Sequence, residues 1–150
     1  MEEIKSMSDN GLKFLMDNEG CKLTPYLDSV NVATVGFGST YYEDGNKVKI
    51  TDPPITQQRA KELFQITLKH YEQAVYSNTI DSINQNQFDA LTSFVYNIGV
   101  NGFKTSTVLR LINSNGTEQD IRNAFLLWDK PPEIIGRRKR EVELYFTPIT

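Results

Sequence analysis

The chain holds one cysteine, Cys21, and one histidine, His70, in 150 residues. A lone cysteine excludes an intrachain disulfide, so the fold must stand on its core, which suits synthesis in a reducing cytoplasm. His70 sits in a polar helical stretch remote from Cys21 in sequence, so no Cys–His nucleophile pair is expected. No metal and no cofactor are expected either. Long apolar runs are missing. Nothing approaches the roughly 18 apolar residues of a membrane span, so no membrane insertion is expected. The N-terminus, Met1-Glu-Glu-Ile-Lys5, lacks the basic-then-apolar pattern of a secretory signal. A target beyond the inner membrane would need another protein to provide passage. Positive charge is also short, at a formal net charge of −3, which disfavours general nucleic-acid binding.

What is present is ordinary for a globular chain, with 39% hydrophobic and 23% charged residues. The length allows one domain or two small lobes sharing a core. Leu12, Leu15 and Met16 recur at helical spacing over residues 9–19, and Gly20 is a natural stop. Glu19 falls on that apolar face, at the helix end, where a carboxylate needs a polar partner. Residues 24–50 read as a small antiparallel sheet. Asp28-Ser-Val-Asn31 and Glu43-Asp-Gly-Asn46 supply turns, Ala33, Val35 and Phe37 alternate with Val32 and Thr34, and Val48-Lys-Ile50 reads as a further strand.

From Thr56 the pattern is helical. Thr56 can cap a helix running to about Asn78. Asn84 with Gln87 resembles a capping box before Phe88, Leu91, Val95 and Ile98, a face without a polar residue and so the expected core helix, ended by Gly99. A shorter helix carries Val108, Leu109, Leu111 and Ile112. Thr117 starts another that buries Ile121, Ala124, Phe125 and Trp128, and Pro131-Pro132 breaks it. A last helix is expected over 137–146. The basic residues Lys130, Arg137, Arg138, Lys139 and Arg140 cluster late, against Glu133, and for Arg138, Lys139 and Arg140 a solvated helix face is the expectation.

Two carboxylates in contrasting settings, Glu19 on an apolar helix end and Asp28 in a turn, suit glycoside hydrolysis. One protonated carboxyl donates to the leaving oxygen, and one ionised carboxylate activates water or attacks the sugar. Thr34, across the turn, could hold a water or orient a carboxylate. The spacing alone fits equally a helix-terminal acid beside an ordinary Asx-turn.

The ordered motifs go further. Glu19-Gly20, Tyr26-Leu-Asp28 and Ala33-Thr-Val-Gly-Phe-Gly-Ser-Thr40 resemble the signature of the phage-type lysozymes (glycoside hydrolase family 24). That family carries Glu, eight residues, Asp, five residues, Thr. Gln87-Phe-Asp-Ala-Leu91 with Phe94-Val-Tyr-Asn-Ile-Gly99, then Phe103-Lys-Thr-Ser-Thr107, then Trp128 with Arg137-Arg138 and Glu141, resemble its later segments. The resemblance runs from about residue 9 to 145. It implies a predominantly helical α+β, lysozyme-like fold of two lobes: a sheet lobe at about 20–55, and a helical lobe at about 80–150 that includes the N-terminal helix. A helix at about 56–78 would join them in a single domain.

The resemblance also implies a peptidoglycan hydrolase with Glu19 as general acid, Asp28 as base or nucleophile, and Thr34 positioning water. Thr40, Tyr96 and Ser106 match substrate-cleft positions, and Arg137 matches an arginine that supports the catalytic Glu. The implied partner is the peptidoglycan glycan strand. A monomer made without a signal peptide in the host cytoplasm is expected, acting on the wall after release, with a holin as the export partner. Ser39 stands where family members usually carry His. A catalytically silent wall-binding or structural member is the alternative, against which the intact Glu19, Asp28 and Thr34 argue. A DNA-binding domain using residues 137–140 is disfavoured by net charge, and a working domain of a larger assembly stays open.

Overall fold

The computed structural model describes residues 3–80 and 83–149. The chain divides into two compact units, one formed by Lys13–Lys69 and the other by Met1–Leu12 with His70–Thr150. The fold is α+β and mostly helical. In chain order it runs α1 (Asp9–Glu19), β1 (Lys22–Leu27), β2 (Ala33–Gly36), α2 (Gln57–Asn78), α3 (Gln85–Ile98), α4 (Val100–Lys104), α5 (Thr107–Asn113), α6 (Glu118–Leu126), a 3-10 turn at Pro132–Ile134, and α7 (Ile135–Tyr145).

In the 13–69 unit, β1 and β2 pair antiparallel, with Leu27 opposite Ala33, Tyr26 opposite Thr34 and Lys22 opposite Gly36. The register slips between Lys22 and Tyr26. Pro25 lies in that slip, where its missing N–H has no ladder bond to give up. The sheet is shorter than the alternation of residues 24–50 suggests. Beyond β2 the chain makes two isolated bridges, Val35 with Ser39 and Tyr41 with Lys47, and Val48-Lys-Ile50 is not a strand. Nor does β2 alternate between a wet and a dry face, since Thr34 to Phe37 are all buried. Phe37 stacks on Phe64 of α2 with centroids 5.4 Å apart. Gly36 has φ +70°, and a Cβ there would meet the Ala60 Cβ at 3.1 Å. Glycine is therefore needed twice over, for conformation and for closeness. Thr56 caps α2, its Oγ1 accepting from Arg59 N at 3.1 Å.

In the other unit α3 is the centre. Its capping box forms as expected, with Asn84 accepting from Gln87 N and Gln87 accepting from Asn84 N. Every residue from Phe88 to Val95 is buried, so this helix has no wet face in that stretch, and Asp89, Thr92 and Ser93 are enclosed with the apolar residues. Phe94 meets Phe103, Phe125 and Trp128. Trp128 lies just past α6 rather than in it, half-buried against this cluster. α4 follows Gly99 as an extra turn that the sequence pattern did not show. α7 starts at Ile135, two residues before the expected start.

A polar network around Asp89 holds this unit's first residues. Asp89 is fully buried and accepts from Ser8 Oγ at 2.5 Å, Ser8 N at 3.0 Å and Gln85 Nε2 at 2.9 Å. Ser8 in turn caps α1, accepting from Gly11 N at 3.0 Å. Burial pushes the Asp89 carboxyl up from its ordinary value, against those hydrogen bonds. A Cβ on Gly11 would lie 2.2 Å from the Asp89 Cγ, which is why the first turn of α1 carries a glycine.

Candidate active site

Glu19 is the last residue of α1 and is half-buried. The helix stops there because Gly20, at φ +72°, takes the left-handed conformation that closes helices, with its N–H donating to Met16 O at 3.1 Å. Asp28 follows β1 directly. Its Oδ1 accepts from Val30 N at 2.9 Å and Val32 N at 2.8 Å, an Asx-turn that ties the carboxylate to the loop it begins. Asn31, at φ 64°, completes the reversal. Asp28 Oδ2 makes no hydrogen bond among the described residues.

Asp28 and Thr34 meet through one carbonyl. The Val32 O accepts from Asp28 N at 3.0 Å and from Thr34 Oγ1 at 2.9 Å. Thr34 is 3% exposed. Because its proton goes to Val32, the lone pairs of its hydroxyl stay available as acceptors. Glu19, Asp28 and Thr34 all stand in the 13–69 unit. Thr40 belongs to the same unit, half-buried, its carbonyl accepting from Val48 N at 2.9 Å. Ser39 is 1% exposed, and its Oγ has no hydrogen-bond partner among the described residues.

The other proposed site residues lie in the second unit. Tyr96 is half-buried, its ring edge-on to Tyr71 at 5.1 Å. Ser106 is buried and caps α5. Its hydroxyl donates to Phe103 O at 2.7 Å and accepts from Leu109 N at 3.1 Å, so the backbone takes up both functions. Arg137 is 6% exposed, with Nε donating to Glu141 Oε2 at 3.1 Å and Nη2 to Ser93 O at 3.0 Å.

Arg138 corrects the expectation of a solvated charge run. It is 1% exposed and pairs with the fully buried Glu141. Its Nε donates to Trp128 O at 2.9 Å, another nitrogen donates to Asn97 Oδ1, and its guanidinium covers the Phe94 ring at 5.2 Å. Burial pushes the Arg138 guanidinium down from its ordinary value, Glu141 opposes that, and the like charge of Arg137 adds to it. Ser93 Oγ donates to Glu141 at 2.5 Å and completes the network. Glu141 stands four residues after Arg137 and three after Arg138, the two spacings that share a helix face. Lys139 and Arg140 are exposed. Among the described residues no group of His, Cys, Asp and Glu could hold a metal ion, and no helix is long and apolar enough to cross a membrane.

Known proteins share this chain's sequence and fold. The phage lysozyme family model matches residues 16–141. The endolysin of Salmonella phage P22 is 39% identical over 96% of this chain and all of its own length. The crystal structure of a P22 lysozyme mutant superposes with a TM-score of 0.87 at 37% identity, covering 98% of this chain and 100% of that one. An endolysin from Escherichia coli O157:H7 phage FAHEc1 reaches a TM-score of 0.90 at 26% identity over 99% of this chain and 98% of its own. With its Glu, Asp and Thr on a helix end and a hairpin, and with sequence and fold matched over nearly its whole length, the chain belongs to the phage lysozyme family.

Proposed function

We propose that this chain is an endolysin-type muramidase of glycoside hydrolase family 24. It would hydrolyse the β-1,4 linkage between N-acetylmuramic acid and N-acetylglucosamine in peptidoglycan. The observation that carries the reading is the Asp28–Val32–Thr34 linkage, in which the Val32 carbonyl accepts from the Asp28 N–H and the Thr34 hydroxyl while the Val32 N–H donates to the Asp28 carboxylate, in the unit where Glu19 ends α1. Glu19 donates its proton to the glycosidic oxygen as the bond to the anomeric carbon breaks. Asp28, through the oxygen its turn leaves unspent, takes a proton from the attacking water. Thr34 Oγ1 accepts that water's other O–H and turns its lone pair toward the sugar. This is an inverting reaction, for which carboxyl groups roughly 6.5–9.5 Å apart leave room for water.

Thr40 and Tyr96 are assigned to the sugar. Ser106, its hydroxyl spent on the α5 cap, would contribute shape rather than hydrogen bonds. Arg137 is assigned a supporting role by its family position. The chain acts as a single lysozyme-like domain and a monomer, and reaches the wall through a holin-type partner after cytoplasmic synthesis. The test is turbidity clearing of purified peptidoglycan. Wild type clears it, while Glu19→Gln and Asp28→Asn, with native circular dichroism, lose most of the activity. Full activity in either variant sinks the assignment, and an inactive wild type that still sediments with the wall identifies a silent wall-binding member.

A further inference from the structure

Tyr26 is left without a task by this reading, yet it stands among the residues that carry it. It is the cross-strand partner of Thr34. Paired residues of an antiparallel ladder put their side chains on one face, with Cβ atoms about 4.5–5.5 Å apart, so the Tyr26 side chain lies beside the buried Thr34. It also stands two residues before Asp28, on the strand that leads into that turn. Its ring is held from its face by the Lys22 ammonium, 4.5 Å from the centroid. The residue is half-buried, and its hydroxyl makes no hydrogen bond among the described residues. A phenol braced by a cation, next to two reacting groups and with its O–H unspent, is unusual for a residue that only fills space.

The electrostatics agree with this placement. Burial raises the Tyr26 phenol above its ordinary value, and the negative charges of Asp28 and then Glu19 add to that. Both carboxylates therefore act on this one hydroxyl, and it keeps its proton at neutral pH. A neutral donor facing two acids cannot serve as a base. It can donate a hydrogen bond to an oxygen that arrives between them.

We infer that Tyr26 is a further substrate-contacting residue of the hydrolytic centre, its phenolic O–H donating to an oxygen of the N-acetylated sugar bound against Asp28 and Thr34. The inference rests on the proposed roles of Glu19 and Asp28. Chemically it asks for a polyhydroxylated, acetamido-bearing ring, whose hydroxyl and amide oxygens are acceptors. No bond is made or broken at Tyr26.

The test is Tyr26→Phe, which keeps the ring, the Lys22 contact and the packing, and removes one oxygen. The expected result is a fall of roughly 2- to 13-fold in kcat/KM on purified peptidoglycan, the range for one lost hydrogen bond, with an unchanged unfolding midpoint. A second readout needs no turnover. In protein carrying 13C-labelled tyrosine, the resonance absent from Tyr26→Phe is that of Tyr26. Its titration should move down in Glu19→Gln and in Asp28→Asn, and its shift should change when an N-acetylglucosamine oligomer binds. Tyr26→Phe with wild-type kcat/KM, or a Tyr26 resonance that ignores both carboxylate variants and the oligomer, overturns the inference. If Tyr26→Phe lowers kcat/KM only together with its unfolding midpoint, the role is structural and the inference also fails. If Glu19→Gln and Asp28→Asn are both fully active, the proposed function itself has failed, an outcome distinct from an inactive pair beside a fully active Tyr26→Phe.

Discussion

Replacing Glu141 with alanine removes a buried carboxylate that bridges two buried guanidiniums. In the native protein Glu141 is fully enclosed, with Arg137 Nε at 3.1 Å on one oxygen and Arg138 on the other. Ser93 Oγ adds a third donor at 2.5 Å. Without Glu141, Arg138 keeps Asn97 and the Trp128 carbonyl, and neither of these is a countercharge. Breaking a buried pair from one side costs about 3–5 kcal/mol. That is a large part of the ~5–15 kcal/mol by which domains are stable. At about 2–4 °C per kcal/mol for a chain of this size, the unfolding midpoint should fall by roughly 6–20 °C. Calorimetry measures it directly, with Glu141→Gln as the milder comparison, because its amide oxygen can still accept from one guanidinium. A fall of less than about 3 °C in Glu141→Ala would refute the reasoning and place these arginines in solvent.

Ser39→Ala removes a buried hydroxyl that has no partner among the described residues. Such a group costs about 1–3 kcal/mol, so urea unfolding should show the variant unchanged or more stable, and a loss above about 1 kcal/mol would mean that the hydroxyl is bonded. Gly36→Ala should destabilise by about 1–3 kcal/mol through its positive φ and the 3.1 Å approach to Ala60, and a neutral result by the same assay contradicts the hairpin geometry. Asp89 supplies a pH test. Its carboxyl is raised in the folded state, so the native protein binds more protons than the unfolded chain between the unfolded and folded values. Stability therefore falls as pH rises through that window. Asp89→Asn should lack this slope, so that wild type loses ground against it as pH rises, and parallel curves would exclude the buried carboxylate.

Much of the fold was legible because its signals are local. Thr56, Asn84 and Thr117 each announce a helix by a cap within three residues, and all three caps form. Glu19 could be placed on a helix end from Leu12, Leu15, Met16 and Gly20 alone. The third strand was over-read because turn residues and alternation fix a reversal, not a ladder. Val48 is buried by what packs on it, while its neighbourhood makes only isolated bridges. Arg138 was misread because a run of four basic residues looks solvated. The counter-signal was Glu141 on the same helix face as both Arg137 and Arg138. Asp89 gave no local signal, since its partner Ser8 lies 81 residues away. The Asx-turn at Asp28 is compatible with the proposed catalytic role. The same carboxylate spends one oxygen on the turn and keeps the other.

The central claim is that Glu19 and Asp28 hydrolyse the muramyl linkage. Mass spectrometry of the soluble products from purified peptidoglycan tests it most directly. Wild type should release muropeptides ending in a reducing N-acetylmuramic acid, with water added and no anhydro end, and Glu19→Gln should release none. Anhydro-ended products, or the same products from Glu19→Gln, would contradict it.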